Sequence, residues 1–199
     1  MIKITSPSDN EPYKKFQQYY EKASINKQKS IEAILISSFN KTLKEVDSRF
    51  VNLKYIRNNE WIFFSNYNSS KAKQFDSHNQ ISAVLYWDSI ELQIRLKAKI
   101  KKTSTAFSNE HFKKRAKEKN ALAISSDQSA PIKDYDNVLK RYNDALSSDN
   151  NLKKRPDYWG GYSFQPYYFE FWEGHPARLN KRESYEYKDG NWHKFFLQP

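Results

Sequence analysis

From residue 90 to residue 101 the chain alternates strictly. Ile90, Leu92, Ile94, Leu96, Ala98 and Ile100 interleave with Glu91, Gln93, Arg95, Lys97, Lys99 and Lys101. A period of two sends successive side chains to opposite faces, so this segment predicts a long strand with one face buried. Shorter β-prone runs at 31–39, 49–56 and 61–64 predict an antiparallel meander with a turn at 57–60, and 81–87 a further strand. Helical spacing of Phe16, Tyr19, Tyr20 and Ala23 predicts a helix over 13–23, and paired serines before 71 open a short one over 69–75. Two more helices are expected at 109–120 and 134–146, joined by a serine-rich loop. After a polar stretch, 147–156, the chain ends in strands at 164–172, 184–188 and 192–197, the last two flanking the hairpin signal Asp189-Gly190. The elements describe a mainly β protein with peripheral helices, an α+β fold resembling a small barrel. One domain over residues 1–199 is expected, with 1–11 as a flexible tail.

Composition sharpens this picture. Hydrophobic residues are only 38% of the chain, but 13 Phe, 14 Tyr and 5 Trp supply large side chains for the core. The chain lacks Cys, which excludes disulfides, thiolate metal sites and cysteine nucleophiles and points to a reducing compartment. The opening residues carry no apolar core of a signal peptide, and no stretch approaches membrane-spanning length, so a cytoplasmic protein is expected. A net charge of +11 calls for an anionic partner, either nucleic acid or a phosphorylated small molecule. Basic runs occur at 97–102, 113–119 and 153–155.

The candidate chemistry narrows by elimination. With four glycines, Gly160, Gly161, Gly174 and Gly190, no phosphate-binding glycine loop or dinucleotide fingerprint can be written. The four histidines lack metal-ligand spacing, so no metal is expected. A phosphate must then be gripped by Arg, Lys, hydroxyls and helix ends, and Ser69-Ser70-Lys71 at a helix start is such a place. Arg49 and Lys54 bracket an apolar run and, on a regular strand, five positions apart, point to opposite faces.

Tyr158-Trp159-Gly160-Gly161, Phe169-Glu170-Phe171-Trp172-Glu173-Gly174, Arg178-Leu179 and Arg182 together resemble the signature of the pyridoxamine 5′-phosphate oxidase family. Upstream, Arg49 to Lys54, Ser69 to Gln74, Gln93 and Gln128-Ser129 are similar to that family's motifs in the same order, so the resemblance covers nearly the whole chain. It implies an FMN-binding split β-barrel working as a homodimer, with residues 158–199 as a dimerisation and active-site region and two FMN sites built from both chains. The activity it implies is FMN-dependent oxidation of pyridoxine or pyridoxamine 5′-phosphate to pyridoxal 5′-phosphate by dioxygen. By resemblance, Arg49, Lys54, Phe64, Ser65, Ser70, Lys71, Gln93, Gln128, Ser129, Trp172 and Arg182 would surround the cofactor. Lys54, His111, Arg115 and Lys119 would hold the substrate phosphate, Arg178 would lie over the substrate ring as the catalytic group, and Asn180 would stand beside it.

Four positions depart from the family pattern. Ser70 replaces an arginine, His111 a tyrosine, Lys119 a serine and Asn180 a histidine. Ser70 removes a charge-assisted contact, and Asn180 can hydrogen-bond but cannot titrate. Two alternatives therefore stand beside the oxidase: a divergent split-barrel flavoprotein, acting on another substrate or binding FMN or pyridoxal phosphate without oxidase activity, and a nucleic-acid-binding module that uses the basic runs.

Overall fold

The computed structural model describes residues 1–148 and 152–199. The centre of the polar stretch expected at 147–156 lies outside the described residues. The strands are β1 (Lys3–Pro7), β2 (Ala33–Asn40), β3 (Glu45–Asn52), β4 (Tyr55–Asn58), β5 (Glu60–Asn66), β6 (Gln80–Trp87), β7 (Leu92–Lys102), β8 (Trp159–Glu173), β9 (Lys181–Lys188) and β10 (Asn191–Leu197). The helices are α1 (Glu11–Ile25), α2 (Ser70–Ser77), α3 (Thr105–Lys114), α4 (Lys117–Ser125) and α5 (Tyr135–Ser147).

All ten strands join one sheet in the order β1-β4-β5-β8-β7-β6-β2-β3, with β9 and β10 added beside β8. The sheet curls until β3 approaches β5 but does not close by pairing with it. Its spine is β8, whose first residues pair with β5, which pairs with β7 from Tyr162 to Glu173, and whose last residues pair with β9. The alternation read from the sequence appears in β7, where Leu92, Ile94, Leu96, Ala98 and Ile100 are buried. The core they enter is aromatic: Phe16 of α1 lies 4.4 Å from the Trp61 ring and 5.6 Å from Trp87, and Phe164, Phe169 and Phe171 are fully buried. The hairpin between β9 and β10 turns at Asp189 and Gly190, both with positive φ, the backbone a two-residue turn of this hand requires.

Three expectations need correction. The tail expected at 1–11 is not free: β1 pairs in parallel with β4, and Ile2 joins the core. Ile2 and Ile4 are too few to show a periodicity, yet they find an unpaired strand edge. The strand expected at 49–56 is broken into β3 and β4 at Leu53 and Lys54, because Leu53 turns into the core while the Lys54 amide donates to the Ile62 carbonyl. The helix expected at 109–120 is two helices with Arg115 and Ala116 extended between them.

Candidate active site

Where β5, β8 and the α3–α4 pair meet, a cavity of about 370 Å³ opens. Lys54, Lys71, Arg115 and Lys119 line it together with His111, Phe64, Trp159, Ser65 and Gln128, and among the described residues no carboxylate does. The chain break at Leu53-Lys54 puts Lys54 here, and the break between α3 and α4 delivers Arg115. The Arg115 guanidinium lies 4.3 Å from the Trp159 ring and donates to Asn120 Oδ1. Asn120, itself buried, donates to the Phe112 and Leu152 carbonyls and so closes the end of α3. The neighbouring pocket formed by Ser70, Lys73, Asp127, Ser129 and Tyr158 shares Asn66 and Gln128 with this cavity.

Lys71, in the first turn of α2, is buried, and its ammonium donates to Ser65 Oγ at 3.2 Å and Ser69 Oγ at 3.4 Å. Burial, with Arg49 nearby, pushes its pKa down to about 8. A fall from the ordinary 10.5 corresponds to about 3 kcal/mol held against the charged form. Ser69 occupies the N-cap of α2, but its hydroxyl donates to the Asn66 carbonyl, so no side chain caps the helix start. Burial lowers Arg115 to about 10; burial, with Arg115 and Lys54 close by, lowers His111 to about 4. Lys71 and Arg115 are thus desolvated cations, Lys54 is offset among the described residues only by Glu32 at 3.9 Å, and the cavity's chemistry is that of an anion receptor with two flat faces, Phe64 and Trp159.

The remaining candidates lie elsewhere. Arg49 is committed inside the fold: it pairs with Asp47 at 2.6 Å and donates to Ser38 Oγ and Gln74 Oε1. Gln93, Trp172 and Arg182 are cross-strand neighbours on β7, β8 and β9. Arg182 is held by the buried Glu170, which also pairs with Arg95. Trp172, Arg178 and Asn180 line a third pocket with Tyr86 and His175. Arg178 has φ 59° in an exposed turn, and Asn180 Oδ1 accepts from the His175 amide to fasten that turn. Trp159 begins β8 and Trp172 is its penultimate residue, roughly 40 Å away along the strand. Lys71, beside Ser65, and Arg178 therefore lie near opposite ends of β8.

Several cations of the basic runs have local partners. Lys101 pairs with Glu60, Lys102 with Asp76 and Lys114 with Glu110, and Lys97 lies over the Tyr168 ring. Among the described residues no helix is long and apolar enough to cross a membrane.

The chain resembles known proteins along nearly its entire length. It is 31% identical over 191 residues to pyridoxine/pyridoxamine 5′-phosphate oxidase of Rippkaea orientalis, covering 95% of this chain and 90% of that protein. To pyridoxine/pyridoxamine 5′-phosphate oxidase 1 of Hydrogenovibrio crunogenus it is 30% identical over 176 residues, 88% of this chain and 81% of the relative. The chain belongs to the pyridoxine/pyridoxamine 5′-phosphate oxidase family. Residues 159–199 match the family's C-terminal dimerisation region, described as that of pyridoxine 5′-phosphate oxidase. The fold agrees: PhzG of Burkholderia lata, solved with tetrahydrophenazine-1-carboxylic acid, superposes with a TM-score of 0.90 at 22% identity, over 96% of this chain and 93% of that one. A pyridoxamine 5′-phosphate oxidase-related, FMN-binding protein of Nostoc punctiforme superposes with a TM-score of 0.75 at 11% identity, over 96% of this chain and 99% of its own. The fold is the split β-barrel of this FMN-dependent family of oxidases.

Against the family pattern, three contacts of the candidate residues escaped the sequence. Asn66 is buried beneath it, donating its amide to Gln128 Oε1 and its side chain to the Ser126 carbonyl. Tyr55 bonds His111, and Asp47 occupies Arg49. Asn66 directly follows the Phe64-Ser65 pair and could have been found there; Tyr55 and Asp47 carry no local signal.

Proposed function

We propose that the protein is an FMN-dependent oxidase of a phosphorylated B6 vitamer, pyridoxine or pyridoxamine 5′-phosphate, acting as a homodimer. The observation that carries this is the cavity in which Lys54, Lys71, Arg115, Lys119 and His111 converge beside Phe64 and Trp159, with no acid among its described lining residues. When bound, FMN supplies the hydride acceptor, and dioxygen takes the electrons on. The donor set fits that group: Lys71, Ser65, Ser70, Gln128 and Ser129 offer a cation, hydroxyls and amides around an uncapped helix start. Lys54, His111, Arg115 and Lys119 grip the substrate phosphate, which fixes the position of the vitamer ring.

Gln93, Trp172, Arg182, Arg178 and Asn180, at the other end of β8, reach this cavity only from a second protomer. In that arrangement Arg178 covers the substrate ring and the partner's strands close the flavin site. The match of residues 159–199 to a dimerisation region supports the two-chain site. Ser70 and Asn180 favour a second reading inside the same fold, a flavoprotein with a different substrate, since each removes a group that the family pattern supplies.

An absorption spectrum of the FMN-supplemented protein, followed by pyridoxamine 5′-phosphate without oxygen, separates the readings. Flavin bands that bleach are the expected result. Bands that persist transfer the protein to the second reading, and absence of bound flavin overturns the site assignment.

A further inference from the structure

The His111 ring is clamped. It stacks on Phe64 with ring centroids 3.6 Å apart and planes 8° from parallel, and Tyr55 meets it edge-on at 5.4 Å. The Tyr55 hydroxyl lies 2.9 Å from Nδ1, a bond with no signal in the sequence because 56 residues separate the two. His111 lines the cavity and Tyr55 does not, so the ring edge turned from Tyr55 is the one presented to a bound anion. With Lys54, Arg115 and Lys119 in the same wall and no acid among the described lining residues, a further positive charge on the ring is opposed, and a neutral imidazole has a single proton to place.

That proton has two possible homes. On Nδ1 it would be given to the tyrosine oxygen, leaving the Nε2 lone pair against the anion. On Nε2 it becomes a donor to the anion, and the tyrosine hydroxyl, able to donate or accept, supplies the bond to Nδ1. We propose that Tyr55 is a positioning residue of the phosphate site: by donating to Nδ1 it holds His111 as the Nε2–H tautomer, a neutral donor aimed at the bound phosphate. The proposal rests on the reading of the cavity as a phosphate site and deepens it. The role of an aromatic hydroxyl donor is thereby divided between two residues, the imidazole that donates and the phenol that sets its proton. A donor of this kind accepts nothing, so it favours a phosphate ester over a neutral hydroxyl in the same place.

The test uses the full chain, labelled with 15N in histidine and supplemented with FMN, with inorganic phosphate as the probe. Long-range 1H–15N spectra report each ring nitrogen, and the signal that vanishes in His111→Gln identifies His111. The expected wild-type pattern is an unprotonated Nδ1 and a protonated Nε2, with a phosphate titration moving the latter. Tyr55→Phe, which keeps the ring contacts, should mix the tautomers and weaken phosphate about 2- to 10-fold, the worth of one hydrogen bond. Because Tyr55 acts through His111, Tyr55→Phe combined with His111→Gln should bind no more weakly than His111→Gln alone. A wild-type Nδ1–H tautomer, unchanged phosphate binding in Tyr55→Phe, or additive losses in the double variant each overturn the proposal while leaving the phosphate site standing. If the wild type shows no response to phosphate anywhere in the cavity, the site reading falls and the proposal with it. The tautomer is read on the wild-type chain, and should His111→Gln misfold, replacing His78, His175 and His193 in turn assigns the fourth signal, so the proposal stays exposed to refutation.

Discussion

Lys71 shows how one residue's surroundings set the behaviour of the site. Its ammonium is buried between two serine hydroxyls, with Arg49 repelling and Asp47 attracting it, and its pKa falls to about 8. A bound phosphate raises that pKa again. Below pH 8 the lysine is charged in both the free and the bound protein, so binding of FMN, whose phosphate is dianionic above about pH 6, should vary little. Above pH 8 the free protein loses the proton that the complex keeps. Affinity should then fall by up to tenfold per pH unit. Fluorescence titrations of FMN between pH 7 and 9.5 measure this, and Lys71→Met should lower affinity and flatten the slope. A slope that survives in Lys71→Met would assign the proton elsewhere. The residue itself was legible from Ser69-Ser70-Lys71; its burial was not, because the Ser65 hydroxyl and Arg49 reach it from β5 and β3.

Among the elements, the segment from α3 to α4 departs most from its sequence pattern. Nothing in residues 113–119 is a helix breaker, although Lys113 and Lys117, and Arg115 and Lys119, place like charges one turn apart and weaken a continuous helix. Tertiary contacts complete the break: Arg115 over Trp159 and Asn120 closing the end of α3 are worth more than the two helical residues lost. The start of β8 is constrained by close approach. A Cβ on Gly160 would stand 2.1 Å from the Tyr67 hydroxyl and 3.0 Å from Ser108 Oγ. Gly160→Ala should therefore push Tyr67 from its bond to the Gly161 carbonyl and cost about 1–3 kcal/mol. Chemical denaturation of the variant measures this, and an unaltered midpoint would show that Tyr67 yields freely.

At the scale of the whole molecule, the two groups of site residues lie at opposite ends of β8, and the proposed site needs two chains. Lys71→Ala and Arg178→Ala each damage both sites of a homodimer. Mixed and reassembled, they should give heterodimers with one site carrying both changes and one carrying neither, restoring about a quarter of wild-type activity in a random mixture. A mixture no more active than its components would place the whole site within one chain. The Arg182–Glu170 pair fits the same proposal, since it would orient a guanidinium at the surface that a partner would cover.

By itself the sequence determined the strand-rich architecture, the aromatic core and the family. Alternation along β7, the Asp189-Gly190 turn and the ordered motifs from Arg49 to Arg182 are local signals, carried by each residue's immediate neighbours. Only the tertiary structure decided that β1 completes the sheet, that the chain breaks at Lys54 and Arg115, and that Tyr55 touches His111. Those outcomes depend on contacts between residues tens of positions apart, whose gain in burial and hydrogen bonding overrides local preference, and no periodicity within a segment records them.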